Sequence, residues 1–338
     1  MLPSLVARTA PNSVALETTL LLHGVPKGQG RPLNDELASI VRANGGTPTT
    51  IGVVHGVPIV GLTDAELDTL LAADKVSKSN TANLGLFLHR KQHAATTVAT
   101  TMELAAAAGV RVFATGGLGG VHRGYASHLD ISADLAAFTR FPVAVVTSGV
   151  KSLLDVAATR ELLESLGVPV VGYRNDDFPA FYQRSLSTSG NGPKVDARFD
   201  DVHDLARFVH AEMTRTKRGV VVCNPIPSSD EIPTAQFETW LAQATADAAK
   251  QGIQARDVSL TLAPATDTSI LNVLPATVIE WREDHPGYAM VALDAGGTRL
   301  LARVTRKSAA SLGLAPGRPV FAQVKGAALL DPPVLEAG

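Results

Sequence analysis

Short valine-rich apolar runs alternate with helix-length patterns from residue 14 to about residue 250, and this alternation sets the class of fold. Val14–Leu22, Thr50–Val54, Val110–Ala114, Val143–Val146, Val168–Val171 and Val220–Cys223 are strand-like. Several have few polar interruptions, as expected of strands buried on both faces of a parallel sheet. Between them, Asn34–Ala43, Asp64–Ala73, Thr97–Ala108, Ser152–Leu166, Val202–Arg215 and Thr234–Lys250 carry helical patterns. Gly109, Gly167 and Gly252 follow such patterns, where a left-handed residue commonly closes a helix. The prediction is an α/β domain with a largely parallel sheet flanked by helices.

After about Arg256 the pattern changes. Leu271–Glu280, Tyr288–Leu293, Thr298–Thr305 and Pro319–Val324 read as strands with no long helix between them. Asp294-Ala295-Gly296-Gly297 is a hairpin-turn signal, and Ser308–Leu312 fits one short helix before the Pro316-Gly317 turn. These features predict a small C-terminal antiparallel β-barrel. Residues 1–254 and 255–338 then form two domains.

Composition narrows the function classes. The 338 residues are 45 % hydrophobic with a formal net charge of −2. That balance supports a folded core and gives no basic surface for nucleic acid. One cysteine, Cys223, excludes an intrachain disulfide framework and a cysteine-based zinc site. No apolar stretch reaches membrane-spanning length, and the first residues lack a signal-peptide core. The expectation is a cytoplasmic protein that binds neither nucleic acid nor membrane.

Chemistry-bearing residues gather between Val112 and Lys151. Gly116, Gly117, Gly119 and Gly120 follow an apolar strand, an arrangement whose N–H groups can close on an anion. The run satisfies neither the dinucleotide pattern nor the P-loop pattern, and tight turns explain it equally simply. Asp130 and Asp134 are four apart and would share a face on a helix. With His122 and His128 near, they offer ligands for a hard cation; Asp130 or Ser132 also suits a helix cap. Lys151 follows an apolar strand and a small-residue turn, at the strand end where ligand sites of parallel sheets form. A desolvated lysine there supplies an amine nucleophile, whereas a first-turn helical lysine would be a solvated residue poorly matched to the helix dipole. Glu17 stands inside the run Val14–Leu22, so either the strand ends there or its carboxyl faces a polar cleft and acts as a general acid. Lys75-Val76-Ser77 and Thr96-Thr97-Val98 offer charge and hydroxyls to a phosphate; singly they are ordinary surface and helix-cap residues.

Taken together, these strings resemble the pseudouridine-5′-phosphate glycosidase family over residues 14 to about 253. The matching segments include VALETTLLLHGVP from Val14, NGGTPTTIGVVHG from Asn44, KVSK from Lys75 and ATTVATTM from Ala95. They continue with RVFATGGLGGVHRG from Arg111, DISADL from Asp130, GVKSLLD from Gly149, Phe178-Pro179-Ala180-Phe181 and NPIP from Asn224. The resemblance implies reversible cleavage of the C–C glycosidic bond of pseudouridine 5′-phosphate to uracil and ribose 5-phosphate. It places the nucleophile on Lys151, which forms a Schiff-base-type adduct, and the proton donor on Glu17. It puts Mn²⁺ on Asp130 and substrate contacts on Lys75, Val98, Ser132, Ala133 and Asp134. Thr97 and His122 lie in the matching motifs, and the family implies a homo-oligomer, a trimer.

Two departures accompany it. Ser79 and Asn80 stand where the family has an arginine and an aspartate, and the family's asparagine-bearing C-terminal segment has no counterpart after about residue 255. In its place, Ala255–Leu330 resembles the TOBE-type domain that ends molybdate-transporter ATPases, which implies a small oligonucleotide-binding-like (OB-like) barrel. Of that domain's oxyanion motif, Ser269 and Asn272 keep the ends of one turn and Lys325 matches a later lysine. The alternative function is therefore an impaired glycosidase homologue that binds an oxyanion such as molybdate through its TOBE-like part.

Overall fold

The valine-rich runs pair side by side because their faces are apolar on both sides. The computed structural model describes residues 4–26, 28–123, 125, 129–186, 192–250, 258–261, 272–285, 288–296, 298–305, 309–310 and 312–324. Two compact units are present, Met1–Phe237 and Glu238–Gly338. In the first, the strands are β1 Val6–Ala7, β2 Ser13–Glu17, β3 Thr47–Val54, β4 Val57–Val60, β5 Ser77–Ser79, β6 Ala94–Thr96 and β7 Val112–Thr115. They continue as β8 Val121–His122, β9 Ala144–Thr147, β10 Leu154–Asp155, β11 Val170–Tyr173, β12 Ala197–Phe199 and β13 Val220–Cys223.

Eleven of these strands make one sheet, in the order β1-β4-β3-β2-β7-β9-β13-β11-β12, with β6 and β5 added beside β3. From β3 to β12 along this order every neighbouring pair is parallel. The helix Val98–Ala107 packs on β2, β3 and β7, and the helix Ala133–Phe138 packs on that helix. Phe113, Phe138, Met102, Leu118 and Leu135 are fully buried at this junction. Each such side chain contributes on the order of 1.5–3 kcal/mol by leaving water.

Three departures from the sequence pattern have physical causes. The run from Val14 does not stay extended to Leu22: β2 stops at Glu17 and Leu20–Gly24 forms a π-helical turn. Thr18 redirects the chain, donating its hydroxyl to the Ile51 carbonyl at 3.0 Å and accepting from the Thr96 N–H at 2.9 Å. Strand β4 returns antiparallel to β3 through His55 and Gly56. Both turn residues have positive φ, 49° and 75°, which matches a two-residue hairpin without the usual Asn-Gly signal. The helix expected from Ser152 begins instead at Val156, because the Asp155 carboxylate accepts from the Ala158 N–H at 2.9 Å and sets the cap there. Lys151 therefore lies on a turn ahead of that helix, outside its first turn.

In the second unit, β14 Val258–Thr261, β15 Asn272–His285, β16 Tyr288–Ala295, β17 Thr298–Thr305 and β18 Pro319–Val324 form an antiparallel sheet in the order β14-β18-β15-β16-β17. The two edge strands, β14 and β17, also contact one another, so the sheet curls toward closure as a small barrel does. Val278, Val291, Leu293, Ala302, Val320 and Ala322 make its core. Among the described residues no helix is long and apolar enough to cross a membrane.

Candidate active site

Three adjacent parallel strands, β2, β7 and β9, end side by side. Their last residues are Glu17, Thr115 and Thr147; the chain leaves β7 and β9 into loops rich in small residues and leaves β2 through Thr18 and Thr19 into the π-helical turn. Side chains past the carboxyl ends of parallel strands face a shared crevice. Glu17 is the charged member of this row. The Thr115 hydroxyl donates to Glu17 Oε1 at 2.6 Å, across neighbouring strands. Glu17 keeps some solvent contact, yet desolvation dominates and pushes its pKa up to about 7; the Thr115 hydrogen bond, Lys151 and Lys78 oppose this rise, while the Asp134 charge adds to it. A carboxyl held near neutrality in a cleft suits proton transfer.

The glycine-rich loop after β7 is tied into the protein at most of its N–H groups. Leu118 N–H donates to the Gly149 carbonyl at 2.9 Å, Gly119 N–H to Asp134 Oδ2 at 2.9 Å, and Val121 N–H to Thr159 Oγ1 at 2.9 Å. His122 N–H donates to the Asp130 carbonyl at 3.0 Å. With these four donors engaged internally, the loop's structural use is to let the chain pass close to its neighbours. At Gly119, a Cβ would stand 2.2 Å from Ser132 Oγ and 2.7 Å from Asp134 Oδ2.

Asp130 and Asp134 do not share a helix face. The helix begins at Ala133, and Ser132 caps it, accepting from the Asp134 N–H at 3.2 Å. Asp134 is buried and its carboxylate joins the first turn of the helix Val98–Ala107 to the glycine-rich loop, accepting from Ala99 N–H at 2.9 Å through one oxygen and from Gly119 N–H through the other. Asp130 precedes the helix and is half-exposed, with Oδ2 3.7 Å from His122 Nδ1. Replacing Asp134 with alanine orphans two backbone donors. The expected loss is about 2–5 kcal/mol in a denaturant titration, with Asp134→Asn intermediate because one of its two acceptors becomes a donor.

Lys151 is exposed. Its N–H donates to the Leu118 carbonyl at 3.1 Å, and its carbonyl accepts from Leu154 N–H at 2.9 Å, closing the turn. The turn depends on Gly149, whose φ is +101° and whose Cβ, if present, would lie 1.8 Å from the Pro179 carbonyl oxygen. Gly149→Ala is expected to cost roughly 3 kcal/mol or more, read as a lowered denaturation midpoint, and to displace Lys151 with the turn.

Glu17, Asp134 and Lys151 thus form one electrostatic group, and Ser132 and Ala133 begin the helix that carries Asp134. Thr97 is half-buried and donates its hydroxyl to the Ser79 carbonyl at 2.9 Å; Val98, beside it, is buried and opens the helix Val98–Ala107. Lys75 is exposed, two residues ahead of β5. The lysine of that segment whose charge reaches Glu17 is Lys78, which the sequence reading did not single out, and Thr115 was missed as well. A hydroxyl at the last residue of a strand beside Glu17's strand was the available signal. Ser79 is buried and donates to Thr100 Oγ1 at 3.0 Å, while Asn80 accepts from the Ala82 N–H at 2.9 Å, so both departures from the family pattern have local structural uses. His128, Ser269 and Lys325 lie outside the described residues.

A model of the family described as indigoidine synthase A like protein matches residues 6–266. This chain belongs to that family. A TOBE domain model matches residues 268–330. A curated relative from a Nocardioides species, named pseudouridine-5′-phosphate glycosidase, is 44 % identical over 247 residues, covering 73 % of this chain and 79 % of its own. A relative of the same name from Solibacter usitatus is 43 % identical over 247 residues, with 73 % and 81 % covered. Two solved structures agree with the fold. The prealnumycin C-glycosynthase AlnA, in complex with ribulose 5-phosphate, is 34 % identical with a TM-score of 0.66, over 75 % of this chain and 84 % of its own. An indigoidine synthase A-like protein from Thermotoga maritima is 32 % identical with a TM-score of 0.65, over 71 % and 80 %. The family reading of the motifs, the α/β sheet and the appended TOBE domain therefore stand.

Proposed function

We propose that this protein reversibly cleaves the C–C glycosidic bond of pseudouridine 5′-phosphate, giving uracil and ribose 5-phosphate. The observation that carries the reading is that Glu17, its pKa pushed up to about 7, ends β2 while Lys151, whose charge reaches it, stands in the turn after β9, the two strands flanking β7 in one parallel run. The relatives' name and the C-glycosynthase likeness support the same class of reaction.

A C–C glycosidic bond has no heteroatom to protonate, so direct hydrolysis is slow. In the proposed route the neutral Lys151 amine forms a bond to C1′ as the bond from C1′ to the ring oxygen breaks; a proton passes from the nitrogen to that oxygen, leaving an open-chain sugar with a hydroxyl and a nitrogen that keeps its lone pair. The nitrogen lone pair then expels uracil, and Glu17 delivers the proton that its carbon C5 needs. The imine left on Lys151 takes up water and releases ribose 5-phosphate. Splitting one hard step into two is the gain of covalent catalysis. Thr115 orients the Glu17 carboxyl through its 2.6 Å hydrogen bond.

Asp130 fits a divalent cation such as Mn²⁺ that keeps most of its waters: its carboxylate is half-exposed, and no cluster of three ligating side chains occurs among the described residues. Bound there, the cation would supply positive charge beside the sugar. Thr97, Val98, Lys75, His122 and the Ser132–Asp134 segment are proposed to contact substrate. Assembly into a homo-oligomer, a trimer by the family resemblance, agrees with the exposure of Leu129, Ile131 and Leu153 beside the site.

The test is direct. The full chain is incubated with Mn²⁺ and pseudouridine 5′-phosphate, and uracil release is followed by chromatography. Borohydride treatment with ribose 5-phosphate is run alongside, with peptide mapping of Lys151. Uracil release and an adduct on Lys151 are expected; absence of both overturns the proposal.

A further inference from the structure

Phe181 has a backbone conformation that phenylalanine rarely takes. Its φ is +58°, in the left-handed region that costs a bulky side chain on the order of 1–3 kcal/mol. The conformation is held by several bonds to the loop that carries Lys151. Phe181 N–H donates to the Ser148 carbonyl at 3.0 Å and Val150 N–H to the Pro179 carbonyl at 3.1 Å, while the Ser152 hydroxyl donates to the Ala180 carbonyl. A bridge joins Gly149 to Ala180. The segment from Pro179 to Phe181 is therefore one wall of the Lys151 turn.

The strained backbone aims the ring at the glycine pair that follows Thr115. A Cβ on Gly117 would meet the Phe181 ring at 2.4 and 2.8 Å, and one on Gly116 would meet it at 3.3 Å. Any side chain at Gly117 would push the ring away. Gly116 is the residue directly after Thr115, which bonds Glu17, and its carbonyl also accepts from Ser148 N–H at 3.2 Å. The ring thus lies where the arm bearing the acid and the arm bearing the amine come together.

Packing alone does not account for this placement. Phe178, three residues earlier in the same string, is fully buried and belongs to the core. Phe181 is only half-buried, so its ring is covered by the glycine pair without being enclosed. Tyr182 meets it edge-on, with ring centroids 4.5 Å apart and an interplanar angle of 87°, and is itself held by the Ile232 N–H donating to its carbonyl at 3.0 Å. A rigid aromatic surface, backed by glycines and set between the loop after Thr115 and the turn that carries Lys151, has the chemistry to stack a flat, uncharged heterocycle.

We infer that Phe181 is a specificity-determining residue whose ring stacks the pyrimidine base while Lys151 holds the sugar. The inference rests on the proposed reaction and deepens it by assigning the base half of the substrate. Sugar and base halves can be read separately. Binding of 5-fluorouracil to the full chain loaded with ribose 5-phosphate is measured by ¹⁹F NMR, and the borohydride-trapped adduct by mass spectrometry. Loss of base stacking should weaken 5-fluorouracil by about 5- to 150-fold, the equivalent of about 1–3 kcal/mol. That loss is expected in Phe181→Leu and in Gly117→Ala, which displaces the ring without removing it, whereas Phe181→Tyr should bind as wild type and all three should still trap the adduct. Having both variants keeps the test open should one of them fold poorly. Undiminished 5-fluorouracil binding in Phe181→Leu and Gly117→Ala overturns the inference, as does loss of the adduct in parallel with the base. A wild-type chain that traps no adduct and releases no uracil overturns the proposed reaction instead, a result distinct from the first two.

Discussion

Replacing Lys151 with arginine or methionine is expected to lower uracil release by at least about 10³-fold, the scale on which loss of a covalent nucleophile acts. Arginine keeps the positive charge but stays protonated, so it offers no lone pair for attack. If Lys151 served only as a cation that binds phosphate, arginine would restore much of the rate. The borohydride adduct should be absent from both variants. The two should differ at Glu17, because the Lys151 charge is one of the influences that hold that carboxyl down. Methionine removes the cation, so the Glu17 pKa should rise above about 7, whereas arginine should leave it close to the wild-type value. Isotope-edited infrared titration of the carboxyl reads this without turnover. Full activity in Lys151→Arg would refute a covalent role.

How far the sequence led depended on how local the cause was. The helix Val202–Thr216 and the strand Val220–Cys223 follow their patterns closely, because each is one amphipathic or uniformly apolar segment with an unambiguous end. The Asp201 carboxylate caps that helix, accepting from Asp204 N–H at 2.8 Å, as the residue type suggests. The Val14–Leu22 run leaves open whether the strand ends at Glu17, because apolar residues around two threonines suit either strand or helix; it does end there, and the choice is made by Thr18 bonding to Ile51 and Thr96, which are distant in sequence. Asp130 and Asp134 show the same limit: their spacing allowed one helical face, and only the Ser132 cap separates them. At the site, Lys151 and Glu17 were legible through their motifs. Thr115 was not, because its contact with Glu17 joins residues 98 positions apart. Phe181 was legible as part of a matching string, but its backbone strain and its ring against Gly117 are properties of the folded chain.

Glu17 should govern the pH dependence of both rate and stability. In the cleavage direction the protonated carboxyl donates, so kcat/KM limited by this group should hold below about pH 7 and fall above it as the donor is lost. Glu17→Gln cannot donate and should reduce release by about 10²–10⁴-fold. Thr115→Val removes a hydrogen bond that favours the charged form, so the Glu17 pKa and the alkaline limb should move upward; Thr115→Ser should restore both. Stability has a definite sign. The folded pKa of about 7 exceeds the ordinary 4.5, so the folded state binds this proton more tightly than the unfolded state. The resulting stabilisation is fully present below about pH 4.5, declines as pH rises through about 7, and is gone above it. Its size is on the order of 3 kcal/mol at most, from about 1.4 kcal/mol per unit, and less where solvent reaches the carboxyl. Other carboxylates act in the opposite sense; Glu66, hydrogen-bonded to Arg8 and Thr63, has a lowered pKa and loses its contribution as pH falls. The informative quantity is therefore the difference between wild type and Glu17→Gln in urea titrations across pH 4.5–8.5. Glutamine mimics the neutral acid, so the variant should gain on wild type as pH rises from about 4.5 to about 7, level off above that, and be the more stable of the two at pH 8. A pH-independent difference would mean that Glu17 ionises freely and is not the poised acid the cleft suggests.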